Sequence, residues 1–361
     1  MKLLELHILQ SFPVSCLNRD DVGAPKSAVF GGATRARISS QCLKRAIRRY
    51  AQKLCPTLFQ GRRSRWIVTP LQDEIVKQGI DESQAKTIAE GVANVLASFD
   101  KEEKVKTLIF LSPNEISTIA KKLAETLKKD QVLAEMLKKD PKSKDLKGKL
   151  EKLTKAAARK PLLNDAADIA IFGRMVANDA TLTMEGAGLF SHALSTHCAD
   201  NEIDFFAAVD DCPPKSEAGA GMIGTLEFNS ACYYRYAALN LDMLRKHLAA
   251  LSSDELREVV DAFIRATLLA VPEARKNSMN AHTVPAYTLG VVKAKGQPIQ
   301  LANAFESPLR AKADGLIKVS IDALENEYNA LKKTWGITTE LECRIPGKTL
   351  QEFCTELLSH L

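Results

Sequence analysis

Residues 35–54 read RARISSQCLKRAIRRYAQKL and contain the clearest helical pattern in the chain. We expect a helix from residue 40 to residue 54, because apolar side chains recur there at helical spacing. These apolar residues are Leu43, Ala46, Ile47, Tyr50 and Leu54. The opposite face carries four cations, Lys44, Arg45, Arg48 and Arg49. Ser39 and Ser40 stand where the helix begins, and either could cap it.

The cationic face of this helix indicates an anionic ligand. Its charges repel at i,i+4 spacing, and no acidic residue within the helix offsets them. A phosphate backbone fits, because Lys and Arg neutralise phosphates and serine hydroxyls donate further hydrogen bonds. The free N–H groups and the dipole at the helix start also favour an anion. The alternative is a basic face that is merely solvated.

The rest of the chain predicts an α+β fold. Alternation predicts a strand over 3–9, followed by a loop over 11–37. Further strands are expected over 182–196, 225–236 and 287–292, and an amphipathic helix over 253–270. Without residues 57–180, the order is strand, helix, strand, strand, helix, strand. That is the ferredoxin-like plan, which RNA-recognition modules also use.

Residues 57–180 consist mainly of helix formers and interrupt this plan as a large helical insertion. Residues 101–160 hold 17 Lys or Arg against 9 Asp or Glu. A second interruption, over 198–224, contains Phe205, Phe206, two prolines and three glycines, and lies where a hairpin tip would project. Two adjacent aromatic residues on a strand cannot face the same core, because side chains alternate.

Composition limits the classes of protein that fit. The chain has 361 residues and a net charge of +6, but residues 1–65 alone hold 13 Lys or Arg and 3 Asp or Glu. No apolar run approaches the ~20 residues that a bilayer requires. Eight cysteines without a C-x-x-C pair argue against a disulfide framework or zinc ribbon. We expect a cytoplasmic protein with no metal and no cofactor.

Two other motifs suggest chemistry that their context does not favour. Gly219, Gly221 and Gly224 match a dinucleotide-binding fingerprint, but prolines precede them and a strand pattern follows. The adjacent carboxylates of Asp20 and Asp21 could hold a divalent metal ion. Neighbouring loop acids usually form turns instead.

Seven motifs, in this order along the chain, resemble the CasC family. They are CLNRDD at 16–21, FGG at 30–32, RISSQCLKR at 37–45, FGRM at 172–175, HALSTH at 192–197, GAGM at 219–222 and CYYRY at 232–236. CasC is the backbone subunit of the type I-E CRISPR surveillance complex, Cascade. The resemblance covers most of the chain and is weakest over about residues 100–160.

This resemblance implies a hand-like subunit with an RNA-recognition-like palm, helical fingers and a β-hairpin thumb. The expected boundaries are palm over 1–56, 181–197 and 225–361, fingers over 57–180, and thumb over 198–224. Several copies would stack head to tail along CRISPR RNA, and the thumb of one would displace a base held by the next. The implied partners are CRISPR RNA, target DNA paired to it, further copies of the chain, other Cascade subunits and a recruited nuclease-helicase.

We expect ten palm residues to contact RNA phosphates or sugars without reading sequence. They are Arg19, Lys26, Arg37, Ser39, Ser40, Gln41, Lys44, Arg45, Arg48 and Arg49. Residues 275–278 are a weaker candidate for backbone contacts. By resemblance, Met175 on the fingers and Phe206 on the thumb should pack against bases.

The resemblance implies no catalysis, so a non-enzyme is expected. The alternative is a metal-dependent RNA-cleaving relative that uses Asp20 or Asp21, since related backbone subunits of type III systems cleave target RNA from a loop aspartate. A free-standing RNA chaperone, which binds as a monomer, is a third possibility.

Overall fold

Strands and helices alternate irregularly along the chain, which confirms the α+β class. The computed structural model describes residues 1–100, 104–139, 143–158, 163–176, 178, 180–209, 211 and 220–361. The strands are β1 (Leu3–Ser15), β2 (Ser27–Phe30), β3 (Ala33–Ile38), β4 (Arg62–Ser64), β5 (Ile109–Leu111), β6 (Gly188–Phe190), β7 (Ala193–Ser195), β8 (Glu202–Val209), β9 (Ala220–Asn240), β10 (Tyr287–Lys293) and β11 (Leu341–Ile345).

The α-helices are α1 (Ser40–Leu54), α2 (Val68–Lys77), α3 (Glu82–Leu96), α4 (Pro113–Lys129), α5 (Gln131–Lys139), α6 (Lys144–Ala158), α7 (Ala167–Phe172), α8 (Leu241–His247), α9 (Ser253–Leu269), α10 (Gly315–Trp335) and α11 (Leu350–Leu358). Two short 3-10 helices cover Ala180–Leu182 and Ala302–Phe305. The chain forms two units. Unit 1 comprises Met1–Ala51, Leu189–Asp242 and Val260–Leu361, and unit 2 comprises Gln52–Gly188 and Met243–Val259.

An antiparallel sheet forms the framework of unit 1, in the order β11-β10-β1-β9-β7-β3-β2. Strands β6 and β8 also pair with β9. The central strand β1 pairs with β10 on one side and β9 on the other. Its residues 3–10 are buried on both faces, not one. The sequence pattern does not reveal that the second face is buried, because that face carries the polar residues Glu5 and His7. Both of them contact buried tyrosines.

Buried polar groups on that second face of β1 have partners. Glu5 accepts a hydrogen bond from the Tyr236 hydroxyl at 2.7 Å and another from Ile299 N at 2.8 Å. Glu5 also forms a buried ion pair with Lys293. Burial first, and then the charge of Lys293, lower the pKa of His7 to about 3, so this ring is neutral at neutral pH.

Several predicted boundaries are wrong. Residues 11–37 are not a continuous loop, because β1 continues to Ser15 and β2 and β3 form a hairpin. The single strand expected over 182–196 is instead the 3-10 helix followed by β6 and β7. By contrast, α1, α9 and β10 lie where the pattern predicts them, within one residue.

Unit 2 is built from helices packed around an apolar core, with the two-stranded sheet β4–β5 beside them. A buried ion pair joins Arg174 Nη1 to Glu115 Oε1 at 2.7 Å. Glu115 also belongs to the capping box that begins α4 at Ser112. Arg174 Nε donates in addition to the Leu182 carbonyl and Nη1 to the Phe110 carbonyl, both at 3.2 Å, so this buried charge has both an ionic and hydrogen-bonding partners.

Candidate RNA-binding surface

Helix α1 has the two faces that the sequence predicts. Leu43, Ile47 and Ala51 are buried, which confirms the apolar assignment of Leu43 and Ile47. Leu54 was expected on the same face but is exposed. The helix ends there, and Cys55, the next residue, is buried instead.

Protein groups satisfy the backbone at the start of α1. Ser39 Oγ accepts a hydrogen bond from Cys42 N at 3.2 Å, so Ser39 is the cap. Ser39 N donates to Asn18 Oδ1 at 2.8 Å, and Ser40 N donates to His192 Nδ1 at 3.0 Å. The expectation of free N–H groups is therefore wrong for these three amides. An anion at this end would depend on side chains and on the helix dipole.

The His192 ring joins the helix start to two predicted site residues. Because Ser40 N can only donate, Nδ1 is the acceptor and the neutral ring carries its proton on Nε2. Burial, and then the charges of Arg37 and Lys26, lower the pKa of His192. Arg37 Nε also donates to the Ser27 carbonyl at 3.2 Å. Lys26, Arg37 and the start of α1 thus belong to one cationic region.

The cationic face of α1 has partners that its own sequence does not contain. Lys44 Nζ lies 5.0 Å from the centre of the Phe190 ring. Arg49 lies 3.8 Å from Glu273, and both of these side chains are about half exposed. The helix is therefore not wholly uncompensated, as its sequence suggested. An exposed pair at this distance stabilises little and leaves both groups available to a stronger ligand. Arg45 is exposed.

The loop before β2 forms an open depression beside α1. Residues 17–23, Cys42 and Ala274 line it. Arg19 is exposed at its edge. Burial raises the pKa of the neighbouring Cys16 thiol, while the charges of Arg275 and Arg19 act against this. Arg275, from the weaker candidate segment 275–278, is thus close to the predicted site and has a left-handed φ of 51°.

The carboxylate of Asp20 is used in a turn. Its Oδ1 accepts hydrogen bonds from Val22 N at 3.1 Å and Ala24 N at 2.9 Å. This is the turn chemistry expected for a loop aspartate. In the described part of the chain, no three His, Cys, Asp or Glu side chains converge as a metal site.

Met175 and Phe206 lie far from α1 in sequence, Met175 in the segment after α7 and Phe206 in β8. Met175 belongs to unit 2 and is 79% exposed. Phe206 belongs to β8, where it pairs with Gly224 of β9 and is 40% exposed. Its neighbour Phe205 is 64% exposed. Pro213, Pro214 and Gly219, at the expected hairpin tip, lie outside the described residues.

Four residues of this region escaped prediction as parts of the site. They are Asn18, Phe190, His192 and Glu273, which contact α1 from distant parts of the chain. A helix pattern reports which residues share a face but not what packs beside it. His192 gave a signal as part of the HALSTH motif and Asn18 as part of CLNRDD, whereas Phe190 and Glu273 gave none.

No helix in the ranges described above is both long and apolar enough to cross a membrane. The expectation that this chain has no membrane partner rests on its amino-acid composition alone.

Comparison with known proteins identifies the family. Two solved structures share the fold over 99% of this chain. One, named "CRISPR RNA-guided surveillance complex, pre-nicking", is 28% identical with a TM-score of 0.79 and is covered over 99% of its own chain. The other, named "CRISPR RNA-guided surveillance complex", is 23% identical with a TM-score of 0.72 and is covered over 100%, which shows the fold alone. No curated protein matches this chain.

The resemblance to backbone subunits of CRISPR surveillance complexes is thereby confirmed at the level of the family. The family description for CT1975-like proteins matches residues 4–352, which is nearly the whole chain. This chain belongs to the CT1975-like protein family.

Proposed function

We propose that this chain is a non-catalytic backbone subunit of a CRISPR RNA-guided surveillance complex, and that it holds the guide RNA on the cationic face of α1. The observation that carries the proposal is the convergence of this face with Lys26, Arg37 and the Arg19 loop in unit 1. The whole-chain likeness to a surveillance-complex structure at 28% identity supports it.

The proposal includes sequence-independent binding. Arg45 and Arg19 are exposed cations, and cations of this kind bind phosphates, which are the same at every nucleotide. A guide-holding subunit must accept any spacer, and base pairing then reads the target DNA. Further copies of the chain, other Cascade subunits and a recruited nuclease-helicase are the partners we propose with it, in the type I-E arrangement of the CasC family.

The architecture proposed with this function assigns a palm to unit 1 and fingers to the helices of unit 2. The neighbouring strands β10-β1-β9-β7, together with α1 and α9, fit the ferredoxin-like order of RNA-recognition modules. The paired strands β8 and β9 fit a thumb, because every residue of β8 is exposed. An isolated hairpin exposed on both faces is more easily explained by a neighbouring molecule.

The alternative function, metal-dependent RNA cleavage from Asp20 or Asp21, has less support. Asp20 already accepts two backbone hydrogen bonds in its turn. Incubating the assembled particle with complementary RNA and Mg²⁺ tests it, and regularly spaced cuts that vanish in Asp20→Asn or Asp21→Asn would favour the enzyme.

The experiment that tests phosphate binding removes two charges from α1. In Lys44→Ala/Arg48→Ala we expect weaker RNA binding and a log–log salt slope that is smaller by roughly one to two units. The matched control, Lys295→Ala/Lys333→Ala, removes two exposed lysines outside α1 and should leave the slope unchanged.

Lys44→Ala also removes the contact with Phe190, which is worth about 0.5–1 kcal/mol. Thermal unfolding of both double variants separates this stability effect from RNA binding. A wild-type salt slope in a folded Lys44→Ala/Arg48→Ala protein would show that the phosphates bind elsewhere.

A further inference from the structure

A second cationic and aromatic surface lies on unit 2. It surrounds the short sheet formed by β4 and β5, and we call it the ribbon surface. Its members are Arg62, Arg63, Trp66, Lys104 and Lys106. Trp66 is 56% exposed, which is unusual for the largest apolar side chain.

The backbone holds Trp66 in a defined position. Ser64 Oγ accepts a hydrogen bond from Trp66 N at 2.9 Å. On the other side of Trp66 the chain is buried, at Ile67 and Val68. The exposed indole is therefore attached to a rigid segment, so a ligand that stacks on it would lose little entropy in ordering it.

The neighbouring segment places Lys104 against this indole. Val105 N donates to the Arg65 carbonyl at 3.0 Å, and Arg65 Nε donates to the Val105 carbonyl at 2.7 Å. These bonds join the two segments directly beside Trp66. As a result, Lys104 Nζ lies 5.7 Å from the centre of the Trp66 ring.

Cations dominate the charge of the ribbon surface. Residues 62–66 and 104–106 contain five Lys or Arg and no acid. Among the described residues, two acids close to these segments already have partners: Asp100 forms an ion pair with Arg65, and the buried Asp168 accepts hydrogen bonds from Gly61 N and Gln52. Glu102 and Glu103, which precede Lys104, lie outside the described residues. Arg63 lies over the Phe110 ring at 4.7 Å, which keeps its guanidinium beside the sheet. Arg62 and Lys106 are exposed.

We propose that the ribbon surface binds single-stranded nucleic acid, with a base stacked on Trp66 and phosphates held by Arg62 and Lys106. An exposed aromatic ring among cations is what sequence-independent single-strand binding requires. A duplex offers phosphates but no unstacked base. A protein partner fits less well, because the centres of protein interfaces are depleted in lysine.

The proposal differs from RNA binding on α1 in its residues and its unit, and the two can fail separately. The chain contains only two tryptophans, Trp66 and Trp335. Trp335 ends α10 in unit 1 and is exposed. In full-length Trp335→Phe protein, all tryptophan emission therefore comes from Trp66, and its quenching reports on the ribbon surface alone.

The test titrates Trp335→Phe protein with an oligothymidylate of about 12 nucleotides. We expect saturable quenching that weakens as salt is added. When Arg62→Ala/Lys106→Ala is added to the Trp335→Phe protein, the half-saturation concentration should rise on the order of tenfold. The log–log salt slope should fall by roughly 1.4. The control Lys295→Ala/Lys333→Ala in the same background should change neither.

Two results would overturn the proposal. The first is unchanged Trp66 emission while a fluorescent label on the oligonucleotide shows that it is bound. The second is equal quenching by a duplex of the same length at the same concentration, since that would exclude stacking on an unpaired base. The control is Trp66→Phe protein, in which Trp335 is the tryptophan that remains. We expect no quenching in this protein, and quenching there would show that the signal does not report stacking on Trp66.

Discussion

Ser39 and Ser40 are adjacent, yet they have different roles at the start of α1. Ser39 Oγ caps the helix by accepting from Cys42 N, whereas Ser40 contacts His192 through its backbone N–H. Ser39→Ala should therefore lower the free energy of unfolding by about 1 kcal/mol. Ser40→Ala keeps its backbone bond, so it should leave stability unchanged and weaken RNA binding by a factor of roughly 2–10.

Chemical denaturation and RNA titration of the two variants measure both quantities. A Ser40→Ala protein that loses stability but binds RNA normally would reverse these roles. The sequence placed both serines at the helix start but could not choose between them, because the choice depends on Asn18 and His192, which are distant in sequence.

Glu342 gives unit 1 a pH-dependent stability. Burial alone would raise its pKa, but hydrogen bonds from Lys332, Tyr328 and Thr339 outweigh this and lower the pKa from 4.5 to about 2. A carboxyl whose folded pKa is depressed stabilises the protein above its unfolded pKa. This contribution should therefore be complete above about pH 4.5 and disappear as the pH falls through about 2.

Urea unfolding of wild-type and Glu342→Gln proteins across this pH range tests the assignment. We expect the difference in unfolding free energy to be largest at neutral pH and to shrink steadily below pH 4.5. His7, whose pKa falls from 6.5 to about 3 on folding, should also lower stability as the pH falls from about 6.5 to 3, but it does so equally in both proteins and cancels in the difference. A difference that is constant with pH would mean that the Glu342 carboxylate is not the stabilising group.

At the scale of elements, the two faces of α1 predict opposite phenotypes. Leu43 and Ile47 are buried, so changing either to Ala should cost roughly 2–5 kcal/mol of stability. Arg45→Ala, on the exposed face, is the matched control and should change stability by less than about 0.5 kcal/mol. Denaturant unfolding and soluble yield measure this. A stable Leu43→Ala protein that fails only in RNA binding would contradict the assignment of faces.

The hairpin of β8 and β9 predicts a different effect. Phe206 is partly exposed and lies across from Gly224, where an added Cβ would approach its ring to 2.6 Å. Phe206→Ala should therefore remove the ring, and Gly224→Val should displace it, and neither variant should unfold unit 1. If Phe206 displaces bases of bound RNA, both variants should lose the periodic protection of RNA against nuclease.

Ile203→Ala, an exposed change on the same strand, is the control for the hairpin and should keep the periodic pattern. Unchanged periodicity in Phe206→Ala would remove this residue from the proposed RNA contacts.

What the sequence could predict depends on whether a feature is local. Helices α1 and α9 follow from periodicity within the element, because one face of each meets an apolar core. Strand β10 follows from a short run rich in apolar and β-branched residues, and all seven of its residues are buried. The β2–β3 hairpin was missed, since β2 contains no buried residue and the pairing lacks an alternating apolar pattern. The contacts of Phe190 and Glu273 with α1 join residues more than 140 positions apart, which no local pattern reports.

For the whole molecule, the resemblance was more informative than periodicity. Seven short motifs indicated the family, and the family match over 4–352 confirms it. The ten palm residues proposed for RNA all belong to unit 1, whereas Met175 belongs to unit 2. The concentration of positive charge in residues 1–65 is consistent with this, since these residues supply the whole set on α1 and its preceding loops.

The central claim is that many copies of this chain bind one RNA along its length without reading its sequence. Native mass measurement of particles assembled on RNAs of several lengths and unrelated sequences tests it directly. After the mass of the RNA is subtracted, we expect the bound protein mass to rise in steps of 39.6 kDa as the RNA lengthens, with the same steps for every sequence. A single bound copy at every RNA length, or binding to only one of the sequences, would contradict the account.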